Sequence, residues 1–202
     1  MPIKQPKPKI QLYKALKIGY TRDLKKQRQA LKNYGYVIDT DLTRPREQVV
    51  AYNPLAKKLL VIENGTDPKS VKDLGTDLLL ATGSIKDTRR YVDAKNAITK
   101  ARQKYDVPAE NINIIGHSLG GQITNMVVPN GANAYNYNPA YTPNQKVKSN
   151  IHNFRTEGDI VSAFSPKETT KVLPNTHEGD KGVNYLLKSH EVENIKDLPV
   201  YF

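Results

Sequence analysis

The sequence contains no cysteine, and this absence excludes disulfide bonds, a cysteine nucleophile and a thiolate metal site. The lack of cysteine also fits a reducing compartment. There are only four histidines, so a structural zinc site is not expected. No apolar run approaches the roughly 20 residues that a membrane-spanning helix requires. We therefore expect no metal, no other cofactor and no transmembrane segment.

Acidic residues are scarce at the start of the chain. Residues 1–33 hold ten Lys or Arg and a single acid, Asp23, so this region carries +9 of the net charge of +11. We therefore predict a basic N-terminal arm, 1–33, and a nearly neutral body, 34–202. Residues 4–32 are expected to bind an anionic membrane surface or nucleic acid, and the alternative is an ordinary solvated helix face.

The first seven residues are positively charged but have no apolar run behind them. A secretory signal needs such a run, so we expect none here. The expectation that follows is a cytoplasmic or virion-associated location.

Hydrophobic periodicity predicts strands that alternate with helices over most of the chain. Strands are predicted at 36–39, 48–52, 58–63, 112–115, 132–137, 151–155 and 170–173. Helical patterns cover 11–34, 69–80, 88–105, 122–128 and 191–196, and the narrow apolar stripe of 11–34 predicts one helix lying on the surface of the body. This alternation predicts an α/β fold, with a mostly parallel sheet and helices on both faces.

The most informative stretch is 113–121, Asn-Ile-Ile-Gly-His-Ser-Leu-Gly-Gly, where an apolar run leads to a serine between glycines. A Gly-x-Ser-x-Gly pattern between a strand and a helix is typical of the nucleophile elbow of α/β-hydrolases. The sharp turn strains the serine backbone, which small neighbours allow, and it directs the next N–H toward a developing oxyanion. The pattern predicts an elbow at 116–121 with Ser118 as nucleophile. The alternative is a glycine-rich turn with an idle serine.

A serine hydroxyl needs a histidine to accept its proton, and in α/β-hydrolases that histidine comes last in the chain order serine, acid, histidine. His190 follows the last predicted strand and is the preferred base, with His177, in a polar loop, as the alternative. His117 precedes the serine and is expected to support the site without taking part in the chemistry. His152 lies inside a predicted strand and is expected to be a packed or surface residue.

The histidine in turn needs an acid that fixes its tautomer and stabilises its charged form. Asp159 follows a predicted strand and the turn residue Gly158, at the carboxyl end of the strand, where such sites collect. We therefore predict Asp159 as the acid. Glu157 and Asp180 remain the alternatives.

Four segments resemble the class 3 lipase family, the fungal-type triacylglycerol lipases among the α/β-hydrolases. The resemblance spans about 48–195 and is greatest to compact virus-encoded or intracellular members. The segments are a strand with a Gly-Thr oxyanion loop (60–67), the hexapeptide Gly-His-Ser-Leu-Gly-Gly (116–121), an Asp-x-Val segment (156–161) and a C-terminal histidine segment (189–195). Glu63 and Asn64 stand where the family commonly has Phe-Arg, and no convincing amphipathic lid is visible.

The resemblance implies an oxyanion hole formed by the backbone N–H groups of Thr66 and Leu119. Thr66 as an ordinary turn residue is the alternative. The same resemblance implies a serine carboxylic-ester hydrolase, similar to a lipase or phospholipase, that cleaves lipid esters through an acyl-enzyme on Ser118 without a cofactor.

A different class of function is also compatible with the sequence. The chain could be a non-catalytic, hydrolase-fold structural or virion-associated protein that is anchored by its basic N-terminal arm. Nucleic-acid binding through residues 4–32 would be compatible with either function. However, no aromatic stacking platform accompanies these lysines and arginines.

Overall fold

Seven strands form one mixed sheet in the computed structural model, which describes residues 7–66, 85, 88–141, 145–177 and 182–202. The strands follow one another across the sheet in chain order. They are β1 (Val37–Ile38), β2 (Gln48–Asn53), β3 (Lys58–Glu63), β4 (Ile112–His117), β5 (Asn133–Tyr137), β6 (Ile151–Thr156) and β7 (Thr170–Leu173). The first three are antiparallel neighbours, and all pairs from β3 to β7 are parallel.

Five α-helices are described. They are α1 (Leu12–Tyr20), α2 (Leu24–Lys32), α3 (Arg89–Tyr105), α4 (Leu119–Val127) and α5 (Gly182–Ser189). Short 3₁₀ turns occupy Ala109–Asn111, Lys167–Thr169 and Val192–Ile195. The helix predicted at 69–80 lies outside the described residues, as does Asp180.

The sheet buries both of its faces. Successive side chains on a strand point to opposite sides, and β3 shows the consequence. Leu60 and Ile62 belong to an apolar cluster with residues of α1 and α2, whereas Leu59 and Val61 belong to a second cluster with residues of α3. The predicted mostly parallel sheet with helices on both faces is therefore confirmed, with two antiparallel pairs at one edge.

The N-terminal region differs from the prediction of one surface helix over 11–34. It forms two helices, because the Asp23 side chain accepts hydrogen bonds from the backbone N–H groups of Lys25 and Lys26 and so starts a new helix. The first helix is also buried, since Leu12 and Leu16 have no exposed surface. Six of the ten basic residues of this region therefore lie on helices that pack against the sheet: Lys14, Lys17, Lys25, Lys26, Arg28 and Lys32. Its separate behaviour as an arm stays a prediction.

The C-terminal region also differs from the sequence prediction. No helix is predicted at 182–189, where α5 occurs, and the helix predicted at 191–196 is a 3₁₀ turn. A helix of eight residues that begins with Gly182, at φ of 62°, offers too few apolar repeats for a periodic signal. This matters because α5 leads directly into His190.

Replacement of Leu16 by Ala tests whether α1 belongs to the core. Leu16 is fully buried in the cluster that also contains Leu60 and Ile62, so Leu16→Ala should lower the free energy of unfolding by about 2–5 kcal/mol. Urea denaturation measures this quantity. Exposed Lys14→Ala, on the same helix, is the control. A loss below about 0.5 kcal/mol for Leu16→Ala, which is typical of a surface site, would show that α1 is not part of the core.

Candidate active site

Ser118 sits in the turn between β4 and α4 in a strained backbone conformation. Its φ is 57° and its ψ is −127°, a region that non-glycine residues rarely adopt. The turn is held by the neighbouring strand, because the Ser118 N–H donates to the Tyr137 carbonyl at 3.2 Å and the Ser118 carbonyl accepts from the Ala140 N–H at 3.1 Å. The turn thus has the geometry that the Gly-x-Ser-x-Gly pattern predicts.

Two glycines allow the backbone to close around this turn. A Cβ at Gly120 would lie 2.1 Å from the Glu63 carbonyl oxygen, so the first turn of α4 packs directly on the end of β3. A Cβ at Gly65 would lie 2.7 Å from the Ser118 Cβ, so the loop after β3 packs directly on the serine. No larger residue fits at either position without displacing backbone or the serine itself.

Asp159 and His190 form a buried hydrogen-bonded pair. The distance from His190 Nδ1 to Asp159 Oδ1 is 2.8 Å, and the second carboxylate oxygen accepts from both the backbone N–H and the hydroxyl of Ser162. Burial opposes ionisation of Asp159, but the imidazole of His190 and the hydrogen bonds from Ser162 outweigh it and hold the pKa below its usual range. An ionised carboxylate only accepts, so Nδ1 of His190 carries the proton.

The lone pair of His190 is therefore at Nε2. This atom and the Ser118 Oγ are both buried, and neither has a hydrogen-bond partner among the described residues. They do not hydrogen-bond to each other. Contacts between nucleophile and base are often long in free enzymes and tighten when substrate binds. His117, the residue before Ser118, links the two residues. Its ring centroid is 4.7 Å from that of His190.

The loop that carries His190 is held in place by hydrogen bonds from side chains to its backbone carbonyl groups. Three consecutive carbonyl groups, at 189, 190 and 191, each accept a hydrogen bond from a side chain at or just beyond the carboxyl end of β4 or β5. The donors are Asn138 Nδ2 at 2.8 Å, His117 Nε2 at 3.0 Å and Tyr137 Oη at 3.0 Å respectively. Asn138 also accepts from the Thr156 N–H at 2.8 Å, which ties the histidine loop to β6.

Each predicted oxyanion residue is next in the sequence to Ser118 or to a residue that packs against it. Leu119 is the first residue of α4, where the backbone N–H has no partner within the helix. Thr66 is exposed and directly follows Gly65, which abuts Ser118. The side chain of Leu119 packs against Ala140 and Val161.

The alternative residues lie elsewhere. His177 Nε2 is 3.7 Å from a carboxylate oxygen of Glu191, and Glu157 is exposed. His152 is exposed on β6 and stacks on Tyr135 with ring centroids 5.0 Å apart. Among the residues that the structure describes, no three His, Asp or Glu side chains converge as a metal site.

Several supporting residues are missed by the sequence analysis. Tyr20, Asn138 and Ser162 each hydrogen-bond to a group of the site, yet none belongs to a recognisable motif. Of these three residues, only Asn138 could have been singled out from the sequence, because it is a polar residue directly after a buried strand. Tyr137 is a further supporting residue, buried on β5, whose hydroxyl donates to the histidine loop at the Glu191 carbonyl.

Comparison with known proteins shows the fold. No protein-family model and no curated protein sequence matches this chain. Among solved structures, the extracellular lipase LipA of Serratia marcescens superposes with a TM-score of 0.60 at 15% identity, over 86% of this chain. The chain shares the fold of a bacterial lipase. It spans only 40% of that lipase's length.

A second lipase, Lip2 of Yarrowia lipolytica, aligns with a TM-score of 0.47 at 14% identity, over 78% of this chain and 74% of its own. The sheet, the helices and the LipA superposition are consistent with an α/β-hydrolase-like fold. Membership of the class 3 family and the likeness to virus-encoded members stay predictions.

Glu63 is a buried carboxyl group at the end of β3, one residue before the loop that contains Gly65. Only 2% of its surface is exposed, and its Oε1 has no hydrogen-bond partner among the described residues. Burial raises the pKa of Glu63 to about 8, against the opposing effect of the Arg90 guanidinium and with a further rise from Glu47. The folded protein therefore holds this carboxyl protonated at neutral pH.

The raised pKa of Glu63 predicts a pH-dependent stability. The unfolded chain ionises near the ordinary value of 4.5 and the folded chain near 8, so the native state binds more protons and stability falls as pH rises between these values. The Glu63→Gln variant lacks this pH-dependent contribution to stability. Between the two pKa values, the free energy of unfolding of the wild type, relative to Glu63→Gln, should therefore fall by about 1.4 kcal/mol for each pH unit.

Urea denaturation at pH 5 and pH 8 measures this difference, and exposed Glu110→Gln serves as the control for loss of a carboxyl group. An equal difference between wild type and Glu63→Gln at both pH values would contradict the buried, protonated state of Glu63.

Proposed function

We propose that this protein is a serine carboxylic-ester hydrolase that cleaves lipid esters through an acyl-enzyme on Ser118. One observation carries the proposal. A buried Asp159–His190 pair, with a 2.8 Å hydrogen bond, contacts His117, the residue before a serine in a strained turn between a strand and a helix. Acyl transfer by a serine requires these residue types, and their order along the chain is the one that α/β-hydrolases use.

In this mechanism His190 Nε2 takes the proton of Ser118 as Oγ attacks the ester carbonyl carbon. Asp159 stabilises the imidazolium that forms and keeps Nδ1 protonated. The imidazolium then gives its proton to the leaving alcohol, which departs and leaves the acyl group on Oγ. A water molecule, deprotonated by His190, attacks the acyl-enzyme, and the carboxylic acid departs as Ser118 Oγ takes the proton back from the imidazolium.

The negative charge of each tetrahedral intermediate falls on the former carbonyl oxygen. The backbone N–H groups of Leu119 and Thr66 are proposed to bind it. Leu119 supports this role through its place at the start of α4, where the N–H is not used by the helix. Loss of one such donor typically costs about 10²–10³ in rate.

Apolar side chains near the site favour a lipid ester over a polar one. Leu119, Ala140 and Val161 form a small apolar cluster that begins next to the serine. Ile160 and Phe164, which follow Asp159 in the chain, are 49% and 54% exposed. An acyl chain or a lipid surface would cover such side chains and remove apolar area from water. LipA of Serratia, whose fold is similar, is itself a lipase.

The competing function is a non-catalytic scaffold with the same fold. The strained backbone of Ser118 argues against it, because a φ of 57° with a ψ of −127° costs free energy that the surrounding structure must offset. A scaffold gains nothing from that cost, whereas a nucleophile elbow requires this conformation.

Ser118→Ala should abolish hydrolysis of p-nitrophenyl butyrate, because no other group takes the place of the nucleophile. The expected fall in kcat is at least about 10³-fold. Asp159→Asn should lower kcat by about 10⁴-fold, since the amide favours the wrong histidine tautomer. Absorbance of released nitrophenolate measures both.

The exposed Ser149→Ala is the matched control and should hydrolyse the ester as the wild type does. Thermal unfolding of each variant separates loss of chemistry from loss of fold. Ser118→Ala that is folded and still active would mean that a different residue is the nucleophile, and the proposed function would fail.

The basic face of α2 is the surface proposed to meet an anionic lipid bilayer. Lys25, Lys26, Arg28 and Lys32 are all exposed on this helix. None of the helices among the described residues combines the length and apolar character needed to cross a bilayer. The cytoplasmic or virion-associated location stays a prediction.

Replacement of these four basic residues by Gln should weaken binding to vesicles that contain phosphatidylserine, because each lysine or arginine near such a surface contributes about 1 kcal/mol. Co-sedimentation at low and high salt measures the loss, and the wild type should itself release vesicles as salt rises. Lys95→Gln/Lys100→Gln on α3 is the control. Unchanged vesicle binding, or binding of the wild type to nucleic acid alone, would count against this surface.

A further inference from the structure

Tyr20, at the end of α1, and His117, before the serine, link two parts of the site that are far apart in the sequence. The Gly65 N–H donates to the Tyr20 hydroxyl at 2.8 Å, and that hydroxyl is 2.6 Å from His117 Nδ1. On the other side of the ring, His117 Nε2 is 3.0 Å from the carbonyl oxygen of His190. A continuous chain of three hydrogen bonds therefore runs from the loop after β3 to the backbone of His190.

The protons in this chain can be ordered in only one way when the His117 ring is neutral. A carbonyl oxygen only accepts, so His117 Nε2 carries the ring proton and donates to His190. His117 Nδ1 is then the acceptor, and the Tyr20 hydroxyl donates to it. The hydroxyl oxygen is left to accept from the Gly65 N–H. Burial and the neighbouring His190 lower the pKa of His117 to about 3, which keeps the ring neutral.

The end of α1 also holds the loop after β3 at a second point. Asn64 Nδ2 donates to the Gly19 carbonyl at 2.7 Å, and a Cβ at Gly19 would lie 2.3 Å from Asn64 Oδ1. The backbone of α1 and the loop are thus in direct contact. A Cβ at Gly65 would lie 2.8 Å from the Tyr20 hydroxyl as well as 2.7 Å from the Ser118 Cβ, so Tyr20, the loop and the serine meet at one place.

We propose that Tyr20 and His117 are positioning residues that fix the Gly65–Thr66 loop and His190 relative to each other. This inference rests on the proposed function, because it assigns the linkage a role in acyl transfer. The loop must present the Thr66 N–H to the oxyanion while His190 faces Ser118. A single rigid linkage sets both positions, and small misplacements of such groups are expensive in rate.

The other hydrogen bonds that hold the His190 loop do not connect it to the Gly65–Thr66 loop. Asn138 and Tyr137 hold the carbonyl groups of Ser189 and Glu191 from β5, and neither contacts the Gly65 loop through a described hydrogen bond. Among the hydrogen bonds described above, those of the Tyr20–His117 pair join the two sides of the site. Loss of the Tyr20 hydroxyl should therefore leave His190 in its loop but release the Gly65 N–H.

Tyr20→Phe tests the proposal because it removes the hydroxyl and keeps the ring. It should lower kcat for p-nitrophenyl butyrate by about 10- to 100-fold with little change in KM, since substrate binding is kept and stabilisation of the transition state is lost. Tyr13→Phe, on the same helix, is the matched control and should leave kcat unchanged. Thermal unfolding should show both variants folded.

A second measurement does not depend on activity. Long-range ¹⁵N–¹H NMR of the four histidine rings reports which nitrogen of His117 carries the proton. We expect the Nε2–H form in the wild type from pH 5 to pH 8, and a shift of the Nδ1 resonance in Tyr20→Phe but not in Tyr13→Phe.

The outcomes separate this inference from the proposed function. A wild type that does not hydrolyse esters refutes the proposed function, and with it the catalytic role of the linkage, whatever the NMR result. An active wild type with an equally active Tyr20→Phe variant refutes the positioning role alone. An Nδ1–H form of His117 in the wild type overturns the hydrogen-bond chain itself.

Discussion

The site depends on the close approach of the first turn of α4 to the end of β3. Gly120 lies so near the Glu63 carbonyl that a single added carbon would be 2.1 Å from its oxygen. This packing leaves the connection from β4 to α4 no room for a relaxed turn, so Ser118 is held at a φ of 57°. Parallel pairing of β4 with β3 and β5 fixes the strand end of the turn, and the packing of Gly120 on Glu63 fixes the helix end. Every other feature of the site is arranged around this fixed serine.

Buried polar contacts then bring the remaining parts to the serine. His190 lies on a loop after a short helix, an element with little intrinsic rigidity, and the structure compensates by binding three consecutive carbonyl groups of that loop. Two of the three donors, His117 and Tyr137, are themselves buried in the strands beside the serine. Hydrogen bonds in such a low-dielectric setting are stronger than in water and fix direction as well as distance. Position is thus set mainly by backbone contacts, and Asp159 is left to set the tautomer of His190.

The sequence predicts the parts of the fold whose signal is local. Strand β3 is predicted at the bounds that the structure has, and the turn at 116–121 is evident from its glycines, because only small residues permit such close backbone contacts. The division between α1 and α2 is missed, since a short amphipathic stripe interrupted by one capping aspartate reads as a continuous helix. Tyr20 is missed for a different reason: its partners, Gly65 and His117, are brought to it by tertiary packing, and no spacing in the sequence records that. The pairing of Asp159 with His190 follows from chain order and a family resemblance, and its catalytic meaning remains a proposal.

The central claim is that the strained serine is a nucleophile activated by His190. A fluorophosphonate probe tests it most directly, because the reagent phosphonylates a serine whose oxygen is activated in this way, with loss of fluoride. Mass spectrometry of peptides from the labelled wild type should place the adduct on Ser118, and the Asp159→Asn variant should react far more slowly. Absence of an adduct on folded wild-type protein, or an adduct on a different serine, would contradict the account.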